Sequence, residues 1–149
     1  MSIDKFNSEG YYDPTAYEAL SAIEKEEQAL RPFRPIVYIC SPFSGDVEGN
    51  VKAAQRYSRF AVDKGFIPIA PHLLFPQFLN DDIPAERQLG LFFGNALMSK
   101  CTEVWVFGST ISAGMSAEIK RAKWKNHRLR YFNEDCEEVS EDGTLKQSI

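Results

Sequence analysis

Two five-residue runs, Ile36-Val37-Tyr38-Ile39-Cys40 and Glu103-Val104-Trp105-Val106-Phe107, constrain this chain more than any other feature. Neither alternates polar with apolar side chains. A strand of that kind has no face to give to water, so it belongs in a sheet covered on both sides, the usual setting of a parallel sheet in an α/β domain. Each run ends in turn-forming residues that lead into a helical segment. Ser41-Pro42-Phe43-Ser44-Gly45-Asp46 follows the first, and Gly108-Ser109-Thr110-Ile111-Ser112-Ala113-Gly114 follows the second.

The remaining elements fall around these two strands. Asp13-Pro14-Thr15 predicts a helix start with proline one step inside the cap. That helix runs over 14–30 with a thin apolar stripe of Tyr17, Leu20, Ile23 and Leu30, as expected for an appendage packed on the domain or on a partner chain. Pro32 and Pro35 stop it. A helix after Asp46 reaches Lys64, with Gly65 as its terminator. Phe66–Ala70 reads as a strand, 71–82 as a loop, Pro84 to about Lys100 and 113–125 as helices, and 129–132 as a last strand. Strand and helix alternate throughout, which predicts a Rossmann- or flavodoxin-like three-layer sandwich around a parallel sheet. The chain then divides into a helical extension over 1–34, an α/β domain over 35–133 and a solvated acidic end over 134–149.

Composition narrows the function. The 149 residues, 44% of them hydrophobic, suit one ordinary core, and a net charge of −4 disfavours a nucleic-acid coat or a membrane-surface protein. Lys120, Arg121, Lys123, Lys125, Arg128 and Arg130 surround Trp124, but cations near a helix C-terminus complement its dipole. The acids Glu134, Asp135, Glu137, Glu138, Glu141 and Asp142 then cancel their field. Cys40, Cys101 and Cys136 form no C-x-x-C pair, which points to a reducing cytoplasm rather than to disulfides or zinc. No apolar run approaches the roughly 20 residues of a membrane span, and no signal-peptide pattern opens the chain. Neither a P-loop, nor G-x-G-x-x-G, nor H-E-x-x-H is present, so no cofactor and no metal is expected.

In an open parallel sheet, ligands bind outside the carboxyl ends of the strands, where strand order reverses. The loops over 41–46 and 108–114 are therefore the candidate site, and Glu118 lies an early helical turn beyond the second. By itself such a glutamate is a solvated residue complementing the macrodipole, and Tyr38 in a buried strand is a core residue. His72, after Pro71, either caps a loop or touches a ligand.

Tyr38-Ile39-Cys40-Ser41-Pro42-Phe43, Ala70-Pro71-His72, Cys101 to Gly108 and Gly114-Met115-Ser116-Ala117-Glu118-Ile119 together resemble the nucleoside 2-deoxyribosyltransferase superfamily. The likeness covers 36–132 and is nearest to its phage- and bacterium-associated branch, a domain of unknown function. The resemblance implies a nucleoside or nucleotide as ligand and cleavage or transfer at its N-glycosidic bond. Glu118 would be the nucleophile, Tyr38 its positioning partner, and 108–114 the cradle for sugar hydroxyls or a 5′-phosphate. Ser41, Pro42, Phe43, Gly45, Asp46, His72, Gly108, Ser109, Ser112, Gly114 and Met115 would line the substrate.

Two positions depart from that pattern. Asn95 and Ser112 fall where the transferases carry aspartates, and an asparagine cannot protonate a leaving base. Asp46, Glu48 or Glu86 then supplies the acid, or the protein is an inactive nucleotide binder. The Pro84 helix carries Leu89, Leu91, Phe92, Phe93, Ala96, Leu97 and Met98, an apolar surface wider than one core-facing stripe. A homo-oligomer, dimer or tetramer, is expected, in line with the superfamily's habit.

Overall fold

The computed structural model describes residues 14–30 and 33–146. Two compact units divide it, 1–34 and 35–149. The first holds helix α1 (Pro14–Leu30). The cap expected at Asp13 and the stop expected at Pro32 lie outside the described residues.

The second unit is built on a five-stranded sheet. Its elements are β1 (Ile36–Cys40), α2 (Val47–Asp63), β2 (Ile67–Ile69), α3 (Pro84–Met98), β3 (Glu103–Phe107), α4 (Ala113–Trp124), β4 (Arg128–Phe132) and β5 (Glu138–Val139). Strand order is β2-β1-β3-β4-β5. β1 pairs in parallel with both β2 and β3, and β3 pairs in parallel with β4. The sheet therefore grows outward from β1 in two directions, and order reverses between β1 and β3.

Alternation along the central strands sorts side chains into two clusters. Tyr38, Cys40, Val104 and Val106 pack with Met98 of α3 and with Met115 and Ala122 of α4. Val37, Ile39, Trp105 and Phe107 pack with Tyr57 and Ala61 of α2 and with Phe132. Trp105 is fully buried, ringed by Phe60, Phe66, Phe107 and Phe132. Both central strands are buried along nearly their whole length, as their unbroken hydrophobic character requires.

Two expectations are corrected. Only β1 to β4 are parallel, because β5 joins β4 antiparallel. The segment read as a solvated end holds that fifth strand, and its acids have partners: Glu138 with Arg130 and Lys146, Glu141 with Lys123, and Glu134 with Ser109. Paired charge on a sheet edge looks identical in sequence to unpaired charge in water. Within 71–82, two 3-10 turns, Pro71–Leu73 and Phe75–Gln77, each begin around a proline.

Candidate active site

The reversal between β1 and β3 sends the chain to opposite sides of the sheet, through the 41–46 loop to α2 and through the 108–112 loop to α4. Asp46 caps α2 by accepting from the Gly49 amide at 3.1 Å, and Ser112 caps α4 by accepting from the Met115 amide at 3.2 Å. Both residues, expected to line a substrate, fix helix entry angles. Met115, also expected at the ligand, is a core side chain at 1% exposure.

α4 places Met115, Glu118 and Ala122 at helical spacing on one stripe, so Glu118 lies over the sheet face that carries Tyr38 and Cys40. The Tyr38 phenol and the Cys40 thiol, the latter turned toward the Met115 carbonyl at 4.0 Å, are close enough to act on its ionisation. Glu118 Oε2 is buried and has no hydrogen-bond partner. Burial pushes this carboxyl up to about 7, while hydrogen bonds from Cys40 and Tyr38 pull it the other way. Burial, and then the Glu118 charge, raise both the Tyr38 phenol and the Cys40 thiol well above their ordinary values. The result is a carboxyl divided between its two protonation states near neutrality and flanked by two neutral donors.

α3 closes the far side of the phenol. A Cβ on Gly94 would stand 3.5 Å from the Tyr38 hydroxyl, and Gly94 is buried. Asn95, the next residue, is half-buried, and its side chain makes no hydrogen bond among the described residues.

Aromatic groups gather at the ends of β1 and β2. Phe43 stacks on His72 with ring centroids 5.0 Å apart and planes 12° from parallel. Burial lowers the His72 pKa, opposed by Asp81 and by a hydrogen bond to the Ser41 backbone. Ser41 itself is 2% exposed, and its Oγ lacks a partner. Pro42 is half-buried between these residues. Phe43 also lines a cavity of about 400 Å³ with Phe78, Asn80, Asp81 and Glu86. Glu118 does not line it.

The second loop is engaged from the side of β4. Gly108 takes φ +103°, the left-handed region that favours glycine, and Ser109 donates both its amide (2.8 Å) and its Oγ (2.7 Å) to Glu134 Oε1. Gly45 (φ +94°) turns the first loop in the same way, and Gly114 is exposed in the first turn of α4. The acids offered as proton donors separate. Asp46 is the α2 cap, Glu48 pairs with Lys52 at 3.4 Å in solvent, and Glu86 accepts from the Asn80 amide at 3.4 Å beside the cavity.

Sequence reasoning named Glu118 and Tyr38 but missed Cys40, Gly94 and Glu134 at the site. The first had a signal, since a residue two beyond Tyr38 shares its face. So did Gly94, because glycine inside a helix marks a close approach. Glu134 had none.

Among the described residues, no group of three His, Cys, Asp or Glu side chains is placed to hold a metal ion, and no helix is long and apolar enough to cross a membrane. A family model described as a domain of unknown function (DUF7768) matches residues 35–132. No curated protein matches the chain.

Proposed function

The chain belongs to the DUF7768 family, a domain of unknown function, and from the resemblance of its sequence to the nucleoside 2-deoxyribosyltransferase superfamily, taken with the site's geometry, we propose that it binds a nucleoside or nucleotide and cleaves or transfers the N-glycosidic bond through Glu118. The observation that carries this reading is the buried, partnerless Glu118 Oε2 beside Tyr38, at the strand-order reversal of a mostly parallel sheet. Burying a carboxyl with one oxygen unpaired carries a cost, and such groups cluster at functional sites. The clusters on both faces of the sheet support the finer reading of the fold, a flavodoxin-like three-layer sandwich, while membership of the nucleoside 2-deoxyribosyltransferase superfamily rests on the sequence resemblance.

In the proposed reaction the Glu118 carboxylate attacks C1′ of the sugar. The C1′–N bond breaks, its electron pair leaves with the base, which takes a proton from water, and a glycosyl ester forms on Glu118. Water, or the nitrogen of a second base, then attacks C1′ and frees the carboxylate. Tyr38 and Cys40 orient the nucleophile, and the Phe43–His72 stack offers a flat apolar surface to a base.

One observation favours a second reading, a binder that has lost the chemistry. Retaining glycosidic catalysis uses two carboxyl groups about 5 Å apart. The alternative acids are spent elsewhere: Asp46 as a cap, Glu48 in solvent, and Glu86 eight residues from Gly94 along α3, about 12 Å of helix rise. One experiment separates the two. Deoxynucleosides incubated with the protein release free base, and Glu118→Gln abolishes release while retaining binding. Tight binding without release by the native protein selects the binder.

A homo-oligomer completes the proposal, supported by Leu89, Leu91 and Phe92 of α3, which are 43%, 53% and 67% exposed. Sedimentation at micromolar concentration tests it, a monomer counting against it. The cytoplasm suits the three free thiols.

A further inference from the structure

The β4–β5 turn delivers a carboxylate to the loop after β3, and its delivery is built rather than incidental. Asn133 Oδ1 accepts from the Asp135 amide at 3.0 Å and from the Glu137 amide at 2.9 Å, and the Asn133 amide bonds back to the Glu137 carbonyl at 3.0 Å. Cys136 completes the turn at φ +61°. β5 is pinned behind it, since Glu138 takes two hydrogen bonds from Arg130, at 2.9 and 3.1 Å. Glu134 is thereby held at the tip against Gly108 and Ser109.

Both Ser109 donors end on the same oxygen of Glu134, and that oxygen would lie 3.8 Å from a Cβ on Gly108. An amide and a hydroxyl converging beside a left-handed glycine, on the exposed loop that follows a central strand, is the arrangement that holds a phosphate oxygen. Here a protein carboxylate fills it. The other carboxylate oxygen, Oε2, carries no hydrogen bond among the described residues, so it is free to accept one from a neutral hydroxyl. Its own hydrogen bonds from Ser109 hold the Glu134 pKa below the ordinary carboxylate value, so the charge persists into mild acid.

We propose that Glu134 determines substrate class: by filling the Ser109 donors with a fixed negative charge, it makes the site one for nucleosides with free sugar hydroxyls and excludes their 5′-phosphates. This rests on the nucleoside reading of the site and adds the group that the loop tolerates. A phosphate would have to displace Glu134 and then sit beside its charge, whereas a sugar hydroxyl can donate to it.

The test compares the native protein with Glu134→Ala and Glu134→Gln, using the four common deoxynucleosides, their 5′-monophosphates and inorganic phosphate as probes, by calorimetry and thermal shift. Expected is preferential binding of a nucleoside by the native protein. Glu134→Ala, with both Ser109 donors released, gains about tenfold or more in affinity for the corresponding monophosphate and for inorganic phosphate, and Glu134→Gln gains less. Native protein that binds a monophosphate at least as tightly as its nucleoside, with no gain in either variant, overturns the proposal. If no nucleoside binds any form, yet inorganic phosphate binds only after Glu134→Ala, the nucleoside reading fails while exclusion of phosphate by Glu134 stands. If inorganic phosphate and the monophosphates ignore all three forms, the exclusion fails whatever nucleosides do. Circular dichroism confirms that each variant is folded.

Discussion

The Tyr38 hydroxyl lies 3.5 Å from the point where a side chain on Gly94 would begin, so the phenol that touches Glu118 is backed directly by the α3 backbone. That distance is ordinary van der Waals contact, and it separates two substitutions. Gly94→Ala adds a methyl without moving the phenol and removes a helix-interior glycine, so it stabilises by up to about 1 kcal/mol and raises Tm by a few degrees. Gly94→Leu has no such room. It displaces Tyr38, costs roughly 1–3 kcal/mol, and drives the Glu118 pKa upward as a hydrogen-bond donor is lost. Thermal melts, with carbon-13 shifts of the Glu118 carboxyl, check both.

Glu118 also sets a pH dependence of stability whose sign follows from its raised value. Between 4.5 and about 7 the folded protein keeps a proton that the unfolded chain has released. Stability therefore falls as pH rises through that window and levels off above it, by at most roughly 3 kcal/mol. Glu118→Gln removes the ionisation. Urea midpoints of the variant are expected to lack this slope and to exceed those of the native protein above about pH 8.

Glu138 carries the opposite sign. Its hydrogen bonds to Arg130 hold it down to about 2, against an ordinary 4.5, so its contribution is complete above 4.5 and disappears as pH falls toward 2. Arg130 lies over the Trp105 and Phe132 rings at 4.9 and 5.3 Å, which helps to hold the guanidinium in place for Glu138. Glu138→Gln is expected to cost about 1 kcal/mol at neutral pH and nothing below about pH 2. Melting curves at the two pH values test this, and β5 frays first in hydrogen exchange of the variant.

Legibility in the sequence followed how local each signal was. Ile36–Cys40 and Glu103–Phe107 could be bounded to the residue because burial on both faces writes an unbroken hydrophobic run. Glu118 was singled out because strand, small-residue loop and helix are adjacent in the chain and because those residues carry the family resemblance. β5 was hidden, since Glu138 makes sense only against Arg130 across the sheet, and a two-residue strand among acids leaves no period to read. The same holds for Glu134, whose partner Ser109 is 25 residues away. Met115 was misassigned for the opposite reason. It was expected at the ligand because the residues around it carry the family resemblance, but the first turn of α4 points it into the core.

The final prediction concerns how Tyr38 and Cys40 act on Glu118. Both lower the carboxyl's pKa by hydrogen bonding and thereby favour its ionised form, against the burial that raises it, although the Cys40 thiol is also turned toward the Met115 carbonyl at 4.0 Å. Replacing Tyr38 with Phe keeps the ring and the packing but deletes one donor, so the Glu118 pKa moves above about 7. A nucleophile must be ionised, so base release by Tyr38→Phe is expected to have its rising limb shifted to higher pH, with the loss greatest at or below neutrality and partly recovered at alkaline pH. Cys40→Ala is expected to shift the limb in the same direction. A structural role alone would lower release equally at every pH. Carbon-13 titration of the Glu118 carboxyl reads the same shift without requiring turnover. An unchanged titration in both variants would show that neither donor holds the carboxylate, and Glu118 would then be tuned by burial alone.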